Sequence, residues 1–308
     1  MKVRKLLGAV ALAATSAVSG VSNAAVLNNA DVNSAFLNFG GFDWAPGAAA
    51  WTDRALASQN AFNSGGVNDP GNFFTVYYVA HAVGVIDPNK QTLPAVNLDQ
   101  TADGNPAPEL ITGIPQTAGR YEYTIYAQVQ MKVTGYELLG GVCLIPPCTK
   151  VTFETTGGTF DIRYDTSMNA KRVGGGEWTG FTDGVSVISG VLDSGIQNVF
   201  DDGDADGVLG FGLNGLVTGQ DLGHVAPALV GTRFTSEFQF SLADAGFLKP
   251  TKAAGIDINQ NQLEESIFSV DGSQLFFSAV PEPSSLALLG MALVGAAGAA
   301  RRRRASAK

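Results

Sequence analysis

The chain has 308 residues, with 19 basic against 28 acidic side chains and 45% hydrophobic residues. Residues 1–24 and 280–308 hold eight of the basic residues and one of the acids, so between them 11 basic residues face 27 acidic ones, a formal charge of −16. Such a body lacks the positive face that nucleic acid or anionic lipid requires, and its aromatic and β-branched content excludes disorder in bulk.

Lys2, Arg4 and Lys5 form a basic head, followed by an apolar run from Leu6 to Ala17 and then the small residues Ser22-Asn23-Ala24. The run is shorter than the ~20 residues a spanning helix needs. This order predicts a secretory signal peptide over residues 1–24, with signal peptidase cutting between Ala24 and Ala25.

Residues 25–279 read as an exported β-rich body, one large domain or two subdomains with a break near Asp87–Gly119. A short helix capped by Thr52 is expected over 52–61 and a strand over 73–80. The Pro-, Asp- and Asn-rich segment 87–116 reads as a surface loop. The clearest strand covers 121–136. Tyr121, Tyr123, Ile125, Ala127, Val129, Met131 and Val133 alternate with polar partners, the period of a strand buried on one face. Residues 151–154 and 159–164 predict a hairpin turning at Gly157-Gly158, and 185–192 a further strand. Phe234, Phe238, Phe240 and Leu242 mark the inward face of another strand, with one or two helical turns expected over 241–248. A last pair, 267–270 and 274–279, would turn tightly at Asp271-Gly272. The expected fold class is all-β: an antiparallel β-sandwich, with a jelly roll as its variant.

Chemistry-bearing patterns are few. Cys143 and Cys148 are a close pair in an exported protein and predict a disulfide, worth only about 2 kcal/mol for so short a loop. Asp202-x-Asp204-x-Asp206-Gly207 places carboxylates at alternate positions before a glycine, a pattern that can wrap Ca²⁺. The bidentate acid of an EF-hand would fall at Leu213, so another segment must complete the shell, with Asp165, Asp193 and Asp221 as candidates. The acidic turn without metal is an equal alternative. His81, in an apolar run, reads as a structural residue. His224, near Asp221, leaves room for a triad, but no Gly-x-Ser-x-Gly elbow or His-Glu-x-x-His helix supports one. Trp44, Trp51 and Trp178 read first as residues closing the core. Stacking on sugar is the alternative, strongest for Trp178 in its Gly-rich context.

The C-terminal end joins Val280-Pro281-Glu282-Pro283 to an uncharged apolar stretch, Leu286–Ala300, and then to Arg301, Arg302, Arg303 and Arg304. A proline-stiffened linker, an apolar stretch near the lower limit of spanning length and a basic stop predict a single transmembrane helix whose arginines stay cytoplasmic. The remaining residues, 305–308, form the cytoplasmic end. This tail, residues 280–304, resembles the PEP-CTERM sorting domain. The resemblance implies cleavage near Pro281-Glu282-Pro283 by an exosortase in a Gram-negative host that makes exopolysaccharide. It also implies an inner-membrane anchor that is transient, followed by a place at the cell surface or in the extracellular matrix. The mature start Ala25-Val-Leu-Asn-Asn29, the central Tyr/Val strands, the Cys143/Cys148 pair and the acidic Gly-rich second half resemble flocculation-associated members of that group. They imply a non-enzymatic role in holding cells and exopolysaccharide together. A calcium-dependent carbohydrate-binding protein and a secreted hydrolase are the competing readings.

Overall fold

The computed structural model describes residues 25–29, 34–53, 71–94, 98–104, 120–138, 149–201, 208–242, 247–258 and 267–277. Sixteen strands are assigned among them. They are β1 (Ala25–Asn29), β2 (Ser34–Phe39), β3 (Gly41–Thr52), β4 (Phe73–Ile86), β5 (Thr92–Leu93), β6 (Glu122–Leu138), β7 (Thr149–Asp165) and β8 (Glu177–Trp178). The second half adds β9 (Val185–Leu192), β10 (Gln197–Asp201), β11 (Val208–Gln220), β12 (Val225–Ala226), β13 (Arg233–Leu242), β14 (Lys252–Ala253), β15 (Ile256–Asp257) and β16 (Ile267–Phe277).

Eight of these close on themselves. The order β7-β6-β4-β3-β16-β13-β11-β9 returns to β7 through the antiparallel register Thr159↔Val191 to Tyr164↔Val185. The β-sandwich and its jelly-roll variant are therefore overturned: the described part is an antiparallel β-barrel. A period of two specifies one buried face but not whether that face belongs to two stacked sheets or to one sheet rolled up. The β7–β9 pairing that decides the matter is a contact between segments whose sequences carry no sign of it.

Closure needs long, bent strands, and two predicted turns turn out to be bends. Gly157 and Gly158 do not turn a hairpin; they lie inside β7 at φ 151° and 148°. That backbone is costly for any residue with a Cβ. Opposite them the β6–β7 register shifts between Gln130 and Met131, so the glycines and a bulge together coil the strand. Asp271-Gly272 likewise lies inside the continuous strand β16, with a bulge toward β3 between Val270 and Gly272. Gly272 is required for space, because a Cβ there would stand 2.4 Å from the Phe238 ring. Thr52 ends a strand rather than capping a helix, and 241–242 continue β13. Residues 53, 247 and 248 are not helical either, while 54–61, 243–246 and the expected transmembrane helix lie outside the described residues. Among the described residues no helix is long and apolar enough to cross a membrane.

The inward face of β6 is the one expected: Tyr123, Ile125, Ala127, Val129, Met131 and Val133 are all buried, as is Tyr121 just before the strand. Aromatic rings from every side fill the interior. Phe42 stacks on Trp44 at 5.1 Å and meets Tyr123 at 5.0 Å; Phe160 meets Phe234 at 4.6 Å, and Tyr78 meets Phe238 at 5.0 Å. Each such pair adds about 1 kcal/mol to the burial of the rings themselves. One mouth of the barrel is plugged by the small sheet β12-β1-β2, whose Leu27, Phe36, Phe39 and Val225 join this same core. A second apolar cluster lies on the outer wall. Ala49, Trp51 and Val79 are covered there by Ala102, Ala170, Trp178, Phe181, Ala253 and Ile258, from the segments 98–104, 166–182 and 247–258. The sheet β15-β14-β8 belongs to that cover.

Candidate functional site

Outward-facing side chains of β4 and β6 that lie beneath the cover cannot reach water, and several are ionisable. Glu122 is 1% exposed, and its carboxylate accepts the backbone N–H groups of Asn169 (2.9 Å) and Ala170 (3.1 Å). Burial pushes its carboxyl up to about 8, against those hydrogen bonds and with help from the charges of Asp165 and Asp99. His81 Nε2 meets the Gln100 carbonyl at 3.0 Å. Burial, and then Arg172, lower its imidazole to about 4. Asp99 accepts from Thr101 N (3.1 Å) and from Arg120 Nη2 (3.3 Å), yet burial still raises it. Arg172 Nη1 donates to the carbonyls of Pro46 (3.3 Å) and Gly47 (3.2 Å). These groups fasten the segments 98–104 and 166–172 to the barrel wall. Their perturbed protonation follows from that structural duty, so strong shifts here do not by themselves mark catalysis.

The outer wall also carries an open cleft of about 200 Å³ lined by Asp43, Glu237, Gln239, Asp271, Gly272 and Ser273. Cross-strand register assembles it: Ser273 stands opposite both Asp43 and Glu237, and Asp271 opposite Gln239. Burial and the neighbouring Asp271 raise the Asp43 carboxyl. Lys90 Nζ donates to both oxygens of Glu237, at 2.9 and 2.8 Å. The lining is mostly polar and suited to hydroxyl-rich or cationic ligands.

The structure disperses most residues that the sequence singled out. Trp44, Trp51 and Trp178 are 0%, 1% and 2% exposed. They close the core as expected, and the sugar-stacking alternative is overturned. Trp178 stacks on Phe181 at 5.8 Å beneath the cover; its glycine-rich setting indicated a turn but not what packs over it. His81 is buried, as its apolar run indicated. His224 sits at the plugged mouth, its Nδ1 3.1 Å from Asp221 Oδ2 and its ring 4.8 Å from that of Tyr164. Asp221 also accepts from Gly223 N, which with His224 lowers its carboxyl. Asp193 pairs with Arg233, and Asp165 accepts from Ser167 N at 2.7 Å. The three candidate completing ligands are thus engaged separately. Among the described residues no group of three His, Cys, Asp or Glu side chains is placed to hold a metal. Asp202, Asp204 and Asp206 lie outside the described residues, in the connection between β10 and β11. Cys143, Cys148, Ala24, Pro281, Glu282, Pro283 and Arg301 to Arg304 lie outside them as well. Glu122 and Asp43 carry no signal of their own in the sequence, because on an alternating strand an outward acid looks like any solvated residue, and Asp271 reads there only as a turn residue.

The path of the chain gives the barrel a polarity. β16 ends at Phe277 opposite Arg233, the first residue of β13. Phe276 N donates to Gly40 O at 2.8 Å, and Gly40 follows Phe39, which pairs with Ala25. The first and last described residues therefore share the plugged mouth. Residues 279–304 match the PEP-CTERM protein-sorting motif. The motif begins two residues after Phe277, so the strand that completes the barrel leads directly into the sorting tail. It marks the chain as exported, transiently anchored in a membrane by its C-terminal segment, and processed by an exosortase. No curated protein and no solved structure matches the chain.

Proposed function

We propose that the chain is a non-enzymatic protein of the cell surface or extracellular matrix that promotes bacterial aggregation together with exopolysaccharide. The observation that carries this reading is the direct passage of barrel strand β16 into the matched sorting motif. A rigid domain fused to a sorting tail is built to be displayed. The barrel interior is occupied by its own aromatic rings, so contacts with other molecules fall to the polar outer wall. With a body charge of −16, divalent cations would reduce repulsion between copies and between the protein and acidic polymers. Calcium at Asp202, Asp204 and Asp206 would serve that end. Deleting Pro281–Lys308 in the host tests the proposal. Secretion is expected to continue while cells disperse, and flocs of normal size from that strain would refute it.

A calcium-dependent carbohydrate-binding protein is the second reading, favoured by the polar cleft at Asp43, Glu237, Gln239, Asp271 and Ser273. Host polysaccharide titrated into the protein by calorimetry separates the two. Saturable heat that disappears in Asp271→Ala would support discrete binding. No heat, with aggregation intact, would favour the first reading.

A further inference from the structure

We propose that the plugged mouth of the barrel is a lipid-docking face, which rests on the bilayer surface while the sorting tail is in the membrane. The proposal rests on anchoring by that tail and adds an orientation to it.

Tether length is the first argument. Phe277 is the last residue of β16, and the apolar stretch of the tail starts at Leu286, leaving the eight residues 278–285 between them. At about 3.5 Å per residue, that tether reaches no more than roughly 30 Å even when fully extended. It leaves the barrel from the plugged mouth, where Ala25 also lies. Anchoring therefore holds this mouth near lipid, and it needs less chain to face lipid than any other surface.

Exposed aliphatic side chains are the second argument, and they are independent of the tether. Leu37 (67% exposed) is on the outward side of plug strand β2, and Leu222 (65%) is in the turn between β11 and β12. Val230 (53%) is in the connection from β12 to β13, and Val185 (50%) opens β9 opposite Tyr164. All four belong to the same mouth. At the opposite mouth the exposed large apolar side chains among the described residues are Phe73 (57%), which opens β4, and Val199 (41%), which pairs with Thr152 near the start of β7. Val191, opposite Thr159 midway along the wall, and Leu248, in the cover, are also exposed. Aliphatic side chains in turns at one end of a polar-walled barrel can enter the headgroup region at small cost, each contributing about 1–2 kcal/mol as it leaves water.

Charge selects the lipid. Asp87, Asp165 and Asp221 lie at this mouth, while Lys90 is held by Glu237 and Arg233 by Asp193. The face therefore offers acids and aliphatic groups, which suits a zwitterionic surface and disfavours an anionic one.

Full-length chain is reconstituted into phosphatidylcholine vesicles with and without bromine on the upper acyl chain. Tryptophan is introduced in three single variants, Leu37→Trp, Leu222→Trp and Phe73→Trp. Emission of the parent protein, whose three tryptophans are buried in the core, is subtracted. Flotation with the vesicles is verified in each sample. At least twofold quenching at positions 37 and 222, with emission at position 73 unchanged, is expected. Floated protein with positions 37 and 222 unquenched would overturn the proposal, as would quenching at position 73 alone. Protein that does not float would instead refute the anchoring on which the proposal rests, and the proposal with it.

Discussion

Replacing Glu122 by Gln isolates the effect of one strongly perturbed buried carboxyl. Glu122 carries its proton up to about 8 in the folded protein, against an ordinary value of 4.5. The unfolded chain releases that proton from pH 4.5 upward, so the stability contributed by Glu122 is complete below 4.5 and is lost as pH rises through 8. His81 acts in the opposite sense. Its value falls from 6.5 to about 4, so its contribution is complete above 6.5 and is lost as pH falls through 4. Between 4.5 and 6.5 the two slopes oppose each other and stability is level. Above 6.5 only the Glu122 slope remains. Over the last 1.5 pH units to about 8, at about 1.36 kcal/mol per unit, the wild-type body loses roughly 2 kcal/mol. Glu122→Gln keeps an acceptor for the Asn169 and Ala170 N–H groups but has no charge to lose. Its stability should rise from pH 4 to 6.5, by up to about 3 kcal/mol from His81, and then stay constant. Urea unfolding of both proteins at pH 5.5, 6.5 and 8 reads this directly through the midpoint. A wild-type protein equally stable at pH 6.5 and 8, or a variant that declines as the wild type does, would refute the reasoning.

Other substitutions test other parts of the architecture. Trp178→Ala should cost about 3–5 kcal/mol in chemical unfolding, because its ring is 2% exposed between the cover and the barrel. A cost below 1 kcal/mol would mean that the cover is not packed on the wall. Tyr78→Phe should leave stability unchanged or raise it by about 1 kcal/mol, since the buried hydroxyl has no partner among the described residues. A loss above 2 kcal/mol would show that the hydroxyl is satisfied. Gly158→Ala should prevent folding or destabilise severely, because φ is 148° and the added Cβ would stand 2.3 Å from Gln128 O. Near-wild-type melting would place a turn there after all. Finally, Ca²⁺ should raise the melting temperature of the wild type but not of Asp204→Ala; no rise in the wild type, or an equal rise in both, would remove the acidic loop as a calcium site.

Much of the barrel was legible residue by residue and little of it as a whole. The alternation from Tyr121 to Val133 identified the buried face of β6 correctly, because alternation is a local consequence of the pleat. Gly157-Gly158 and Asp271-Gly272 were misread as turns for an equally local reason. The same glycines permit a reversal or a bend, and only the strands on either side decide between them. The pairing Ile162↔Ile188 that closes the barrel is set by packing around the whole ring and leaves no mark in either segment. The same holds for the wall clusters. Glu122 alternates with apolar neighbours like a solvated residue, and it is buried only because residues 166–182 fold back over it. The sorting tail was fully legible because its three parts are contiguous in sequence and carry their physical meaning without a partner.

Intact mass and terminal sequencing of the protein recovered from outside the host cells bear most directly on the central account, in which a displayed barrel is released from a sorting tail. A mature chain that begins at Ala25 and ends near Pro281-Glu282-Pro283, without the apolar stretch and the arginines, is the predicted result. A recovered protein that still carries residues 286–304 would contradict it.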